Sequence, residues 1–111
     1  MQFLVTIHRP RGYDPALEDE AMGRAISALN RDMVAAGIRV FVGGLQSPKQ
    51  AVSLRPQDDD SLLTREGPYH ETPDYVGGLW VLDLDTLDEA IEWGRKAALA
   101  CRSGVEVRPF H

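Results

Sequence analysis

A chain of 111 residues with 12 basic and 17 acidic residues has room for one folded domain and carries a net charge of −5. Because its basic residues are scattered and its one dense charge run, 58–60, is acidic, we expect no nucleic-acid partner and no binding to anionic membranes. The single cysteine, Cys101, excludes an intrachain disulfide and favours a cytoplasmic location.

The N-terminal segment predicts a β-strand. Residues 3–7 are short and β-rich, and residues 8–12 follow as a loop that contains Pro10 and Gly12. The segment lacks the basic start and the long apolar run of a signal peptide. No stretch of the chain approaches the ~20 apolar residues of a membrane span.

A first helix is predicted between Asp14 and Gly37. Asp14 is a typical N-cap, Pro15 suits the first helical position, and Gly37 is typical of the left-handed residue that ends a helix. Four apolar residues recur at spacings of four, three and four, which places them on one helix face: Met22, Ile26, Leu29 and Met33.

The middle of the chain predicts short strands. Residues 38–42 indicate a second strand, and residues 51–54 a third strand that pairs with it as a hairpin. Residues 55–60, with a proline and three aspartates, predict a solvated turn. Residues 62–64 either extend the pairing or resume it after the turn.

The second half predicts a strand, a helix and a last strand. Residues 77–84 form the strand, Thr86 and Glu89 form a capping box that opens the helix, and residues 105–108 form the last strand. The order β-α-β-β-β-α-β over residues 1–111 predicts a single α+β domain. Its topology is that of a ferredoxin-like split βαβ, with two helices on one face of an antiparallel sheet and one elaborated hairpin.

The strands also predict a homodimer, because they are apolar on both faces. In the fourth predicted strand Leu79 and Val81 face one side, while Trp80 and Leu82 face the other, and Leu4 opposes its neighbours in the first strand. Two helices cover one face of a sheet only, and monomers rarely expose a large apolar patch. We expect two sheets to pack face to face around a barrel-like interior. The alternative is a long loop that covers the second face.

Several segments, in order, resemble the YCII-related family that carries a DGPF motif. Residues 43–48 resemble its glycine-rich strand ending, and residues 66–72, Glu-Gly-Pro-Tyr-His-Glu-Thr, resemble its Asp-Gly-Pro-Phe-x-Glu-Thr signature. Residues 77–90 are similar to its Gly-Gly strand and acidic helix cap, and residues 106–109 to its common ending. The sequence departs from the signature with glutamate and tyrosine at two motif positions and with Pro-Asp in place of Lys-Glu after it.

The resemblance implies a dimeric α/β barrel and leaves the activity open. Most members are uncharacterised, many are linked by name to extracytoplasmic-function sigma factors, and a few relatives act on hydroxylated aromatic substrates. In the YCII branch a His-Asp pair is the proposed active site, with its histidine near the first helix. Residues 14–37 contain no histidine, so that pair has no counterpart at this position.

A loop is predicted at residues 66–73, which we call the motif loop, and it holds the first candidate site residues. Glu71 and His70 are candidate catalytic residues, because a histidine or a buried glutamate can exchange protons near neutral pH. Glu66 and Tyr69 are candidate ligand-binding residues. The structural alternatives are that Glu71 locks the turn by accepting backbone hydrogen bonds and that Tyr69 fills the core.

Two candidates lie outside the motif loop. His8, on the face of Leu4 in the first strand, is a third candidate catalytic residue, and Trp80 is a candidate ligand-binding residue; both also suit a structural position. We expect no cofactor and no metal site, because no pair of histidines or cysteines has metal-ligand spacing. Cys101 lies on the small-residue face of the second helix, where burial disfavours a nucleophilic thiolate.

Three functions follow as hypotheses. The first is a dimer that binds a small molecule near the motif loop. The second is a proton-transfer enzyme, such as an isomerase, lyase or dehydrohalogenase, that acts on a small hydroxylated aromatic substrate. The third is a protein-interaction partner in sigma-factor regulation.

Overall fold

A computed structural model describes all 111 residues. The strands are β1 (Gln2–Pro10), β2 (Arg39–Gly44), β3 (Val52–Pro56), β4 (Leu62–Glu66), β5 (Asp74–Asp83) and β6 (Gly104–Pro109). The α-helices are α1 (Glu20–Ala35) and α2 (Leu87–Cys101). Two short 3-10 turns span Pro15–Leu17 and Pro48–Gln50.

The main sheet has the strand order β2-β5-β1-β6, and every neighbouring pair is antiparallel. β1 and β2 therefore run parallel to each other with β5 between them, and α1 connects them. This arrangement is the split βαβ unit of the ferredoxin-like fold. The predicted α+β class and topology are confirmed.

Both helices pack on one face of this sheet. The core lies between them and the sheet, and its largest fully buried side chains include Trp80, Phe3, Met33 and Leu82. In α2, Gly94 lies so close to β6 that an added Cβ would stand 2.7 Å from Val107 Cγ2. The predicted small-residue face is therefore the face that contacts the sheet. Neither helix has the length and apolar composition needed to cross a bilayer.

The predicted start of the first helix is wrong. Asp14 accepts a hydrogen bond from Ala16 N at 2.9 Å, but it caps only the 3-10 turn Pro15–Leu17. The helix itself begins at Glu20, where Asp19 accepts a hydrogen bond from Met22 N at 2.9 Å. Asp14 therefore caps the 3-10 turn, and Asp19 caps α1.

The predicted partner of β3 is also wrong. β3 pairs with β4, whereas β2 pairs with β5. The short turn between β3 and β4 favours this hairpin, because Gln57 N donates to Ser61 O at 2.8 Å and Asp60 adopts a left-handed φ of 67°. The resulting two-stranded sheet is separate from the main sheet, and we call it the arm, residues 52–66.

The cap of α1 makes stability depend on pH. Asp19 also pairs with Arg102 at 3.1 Å, and the Met22 hydrogen bond, followed by Arg102, holds the pKa of Asp19 below its usual range. A lowered pKa contributes stability above the unfolded-state value and loses it as the pH falls through the folded-state value. We expect Asp19→Asn, which can still cap the helix, to lower the melting temperature at pH 7.

The difference in melting temperature between wild type and Asp19→Asn should shrink as the pH falls below about 4. Thermal unfolding followed by circular dichroism at a series of pH values measures it. Asp58→Asn, in the exposed turn of the arm, is the matched control, because Asp58 takes part in no ion pair and its side chain accepts no hydrogen bond. A difference for Asp19→Asn that stays constant with pH would contradict the account.

Candidate functional site

The motif loop connects β4 to β5 and is held at both ends by hydrogen bonds. At its start, Gly67 has a φ of 110°, which favours glycine, and its backbone O accepts from Ser53 Oγ at 2.7 Å. At its end, Arg11 N donates to Pro73 O at 2.7 Å. These bonds fix the motif loop beside the turn that follows β1.

Three segments converge around one cleft. They are the turn after β1, the connection between β2 and β3, and the motif loop with the start of β5, which contributes Tyr75. The cleft has a volume of about 380 Å³, within the range of small-molecule sites. Its lining residues are Arg11, Gly12, Tyr13, Ser47, Pro48, Lys49, Pro68, His70, Glu71, Thr72 and Tyr75. An adjoining cleft of about 420 Å³ shares Ser47, Pro48, Pro68 and Tyr75 with it.

Charged side chains define one wall of the cleft. Arg11 and Glu71 both line the cleft and form an ion pair with each other, and both side chains are 61% exposed. Lys49 lies in the 3-10 turn that Ser47 caps, and Ser47 Oγ accepts from Lys49 N at 3.3 Å. Lys49 takes part in none of the seven ion pairs of the chain. One cation of the cleft is therefore uncompensated.

A buried arginine supports the turn that carries Arg11 and Tyr13. Arg9 is 8% exposed, and its guanidinium donates to Cys101 O at 2.8 Å, to Glu18 Oε1 at 3.2 Å and to Ser103 Oγ. The guanidinium carbon lies 4.5 Å from the centre of the Tyr13 ring. This network joins the turn after β1 to the end of α2.

Burial and charge both act on the phenol of Tyr13. Burial raises the pKa of Tyr13 most, Arg9 opposes that shift, and Glu18 adds to it through its charge and a hydrogen bond. The phenol therefore stays protonated at neutral pH, and Tyr13 adds no negative charge to the cleft.

The absence of a side chain at Gly77 leaves room for the side chain of Arg9. The β1–β5 register shifts between Ile7 and His8, and Gly77 is the extra residue of β5 at this bulge. A Cβ at Gly77 would stand 2.8 Å from Arg9 Cγ. The predicted loop at residues 8–12 begins three residues too early, because β1 continues through His8 and Arg9 to Pro10.

The structure brings two of the predicted site residues together. Glu71 and His70 both line the cleft. Tyr69 does not line it, because its ring packs under Arg55, whose guanidinium carbon lies 3.8 Å from the ring centre. Tyr69 is 48% exposed, so it does not fill the core. Glu66 ends β4 opposite Val52 and is exposed.

The other two predicted site residues lie elsewhere. His8 Nε2 and Thr6 Oγ1 are hydrogen-bonded at 2.8 Å on the sheet face opposite the helices. Trp80 is 2% exposed in the core, and its indole N–H donates to Asn30 Oδ1 at 2.9 Å. Both side chains have partners that account for their positions.

Sequence patterns do not identify the cleft residues that come from outside the motif loop. Arg11 lies in the predicted loop at residues 8–12, Tyr13 lies between that loop and the predicted helix, and Lys49 lies between two predicted strands. The one local signal was the Ser-Pro pair at residues 47–48, which is typical of a capped turn. No pattern in the sequence joins these segments to residues 70–72.

The other cavity, the cysteine and the potential metal ligands of the chain give weaker support for a functional site. A larger cavity, about 610 Å³, is lined only by residues of α1 itself and gathers no second element: Glu20, Gly23, Arg24, Ser27 and Arg31. Burial raises the pKa of the Cys101 thiol, and the side chain is 1% exposed, which disfavours a nucleophilic role. No group of three or more His, Cys, Asp or Glu side chains is placed to hold a metal ion.

Comparison with known proteins gives the family of the chain. The profile of the YCII-related domain matches residues 1–111. The chain belongs to the YCII-related family. An uncharacterised protein of Rhizobium meliloti (strain 1021) is similar to this YCII-related chain, with 34% identity over 95 residues. The alignment covers 84% of this chain and 76% of the relative.

The family assignment confirms the resemblance seen in the sequence. In this YCII-related domain, four residues of the motif segment line the cleft: Pro68, His70, Glu71 and Thr72. The description of the Rhizobium relative assigns it no activity. What this YCII-related domain does therefore follows from the chemistry of the cleft and its surroundings.

Proposed function

We propose that the chain is a cytoplasmic, small-molecule-binding homodimer of the YCII-related family and that its ligand occupies the cleft at the motif loop. The convergence of three chain segments on one cleft of about 380 Å³ carries this proposal. The cleft combines flat apolar surfaces from Pro48 and Pro68 with polar groups that can orient a ligand, such as Arg11, Lys49 and Thr72. Small-molecule sites also combine apolar surfaces with polar groups that orient the ligand, and the lining of this cleft is more polar than is typical of them.

The sheet face opposite the helices supports the dimer. In the main sheet, Phe41, Val81 and Leu4 are direct cross-strand neighbours on this face, and Leu79 lies beside Thr6 in the next row. Phe41 is 57% exposed, so the row is open to solvent in one copy of the chain. A second sheet of the same kind would remove these apolar side chains from water.

The surface area of the chain supports the same conclusion. One copy exposes 7640 Å², whereas a folded monomer of 12.3 kDa is expected to expose about 6100 Å². The excess of roughly 1500 Å² is larger than the ~800 Å² that each partner buries in a standard interface. Exposed apolar side chains on the arm contribute to it: Val52, Leu54, Leu62 and Leu63. A two-stranded hairpin is only marginally stable alone, so the arm also favours a partner.

Removal of Arg11 tests ligand binding in the cleft. We expect compounds from a library of small acids, amines, amides and neutral aromatics to shift the backbone amide signals of Gly12, Lys49 and Thr72 in two-dimensional NMR spectra. Arg11→Ala should weaken binding of the strongest such compound by roughly 10- to 100-fold, because a hydrogen bond to a charged group is lost. Its stability should change by less than about 1 kcal/mol, because the Arg11–Glu71 pair is exposed.

Arg24→Ala is the matched control, because it also removes an exposed arginine paired with a glutamate, Glu20 on α1. This variant should bind the compound as the wild type does. The proposal fails if no compound in the library shifts the amides of the cleft, or if the two variants bind equally.

Proton-transfer catalysis on a hydroxylated aromatic substrate is the second candidate, because Glu71 and His70 line the same cleft. Turnover by the wild type that disappears in Glu71→Gln, with binding retained, would distinguish it from binding alone. Absence of turnover across pH 5 to 9, at substrate concentrations that shift the cleft amides, would reject the enzyme.

A further inference from the structure

The charge of the cleft is opposite to that of the protein. The chain has a net charge of −5, but the charged residues that line the cleft are Arg11, Lys49 and Glu71, which sum to +1. Since Glu71 is paired with Arg11, the uncompensated charge is the ammonium group of Lys49. Ligand anions would thus meet a local cation on a surface that otherwise repels them.

The position of Lys49 is fixed by its backbone rather than by a salt bridge. Ser47 caps the 3-10 turn Pro48–Gln50, and the turn closes with Gln50 N donating to Ser47 O at 2.9 Å. The ammonium group itself is left free for a ligand. Arg11 lies on the same cleft and can share its guanidinium between Glu71 and a second acceptor, because it has five N–H donors.

The apolar part of the cleft suits a flat ring. Tyr13 and Tyr75 both line it, together with Pro48 and Pro68. The Arg9 guanidinium packs over the Tyr13 ring, with its carbon 4.5 Å from the ring centre. Aromatic rings prefer offset or edge-to-face contacts with such side chains, and these contacts add to the burial of area.

We propose that the ligand of this cleft is a small aromatic carboxylate, whose carboxylate binds Lys49 and Arg11 and whose ring packs against Tyr13 and Tyr75. This inference rests on the proposed binding function and adds the chemical class of the ligand. The carboxylate accepts charge-assisted hydrogen bonds from the two cations. Thr72 also lines the cleft, and its hydroxyl, which donates to Asp74 O, can still accept a hydrogen bond from a ligand.

Matched acid and amide pairs test the charge of the ligand. Benzoate, phenylacetate and 3-phenylpropionate are each titrated against the full-length protein beside benzamide, phenylacetamide and 3-phenylpropanamide, with NMR detection of the cleft amides. At least one acid should bind with a dissociation constant tenfold or more below that of its amide. Propionate, which has the charge but no ring, should bind at least tenfold more weakly than 3-phenylpropionate.

The two lysines of the chain provide a matched pair of variants. Lys49→Gln should weaken binding of the acid about tenfold, whereas Lys96→Gln should not, because Lys96 packs over Trp93 on α2. Equal binding of acids and amides, an unchanged affinity in Lys49→Gln, or a cleft that takes only neutral or cationic library compounds overturns the ligand class and leaves the binding function intact. A cleft that takes no compound overturns both.

Discussion

Replacement of Arg9 by methionine is expected to destabilise the protein by about 3 kcal/mol. The change removes a guanidinium that is 8% exposed and donates to Cys101 O, Ser103 Oγ and Glu18. Cys101 O then loses a buried donor, and Tyr13 loses the cation beneath its ring. Methionine retains an unbranched apolar stem in place of that of arginine, so the loss reports the hydrogen bonds and the charge more than the packing of the stem.

The melting temperature of Arg9→Met should fall by about 10 °C or more in differential scanning calorimetry. Arg95→Met is the control, because Arg95 is 69% exposed and forms only an ion pair with Glu92 three residues away on α2. Its melting temperature should change by less than about 2 °C. Equal effects of the two substitutions would show that the Arg9 network contributes little to stability.

Replacement of Phe41 by lysine is expected to convert the proposed dimer into a monomer. Phe41 is 57% exposed in one copy and continues the apolar row of Val81 and Leu4. A lysine there would place an ammonium group among the apolar side chains of the proposed interface, where it loses its hydration. The single copy tolerates the change, because the position is open to water when no partner is present.

Size-exclusion chromatography with light scattering at micromolar concentration measures the result. The wild type should have twice the monomer mass of 12.3 kDa, and Phe41→Lys should have the monomer mass. Leu99→Lys is the control, because Leu99 is 80% exposed on α2, which lies on the opposite side of the sheet, and this variant should remain a dimer. A wild type that is monomeric, or a Phe41→Lys variant that stays dimeric, would contradict the proposed interface.

The fold could be predicted because local patterns and topology agree. The apolar spacing from Met22 to Met33, the positive φ at Gly37 and the Thr86 cap are all present in the structure. Thr86 Oγ1 accepts from Glu89 N at 3.2 Å. Each of these features is set by residues within a few positions of one another, so the sequence shows them directly.

The pairing of β3 could not be read from its own residues. Both β2 and β4 have apolar side chains, so strand composition does not decide which of them pairs with β3. The pairing depends on the β2–β3 and β3–β4 connections. The turn at 57–61 closes tightly, whereas residues 45–51 contain Pro48 and a 3-10 turn that redirects the chain away from β2. The lengths and conformations of the connections, rather than strand propensity, decided the pairing.

The burial of Arg9 could have been predicted from the alternation of residues in the first strand. Phe3, Val5, Ile7 and Arg9 form one alternating series, so a strand that continued past Ile7 would place Arg9 on the buried face. The proline and glycine that follow favoured a loop instead. A charged residue that continues an apolar series is expected to be buried with partners, as this one is.

The candidate site was predictable in part. The motif loop identified Glu71 and His70, but their neighbours in the cleft come from residues 11–13 and 47–49. Arg11 and Glu71 are 60 positions apart in the chain. Such proximity depends on the β1–β5 pairing and on the connection after β2, which no local pattern contains.

A crystal structure of the protein soaked with the mixture of benzoate, phenylacetate and 3-phenylpropionate would show whether the cleft binds an aromatic acid. We expect a bound acid between Arg11, Lys49 and the rings of Tyr13 and Tyr75. An empty cleft at millimolar concentrations of the acids, or an acid bound on the α1 surface instead, would contradict this expectation.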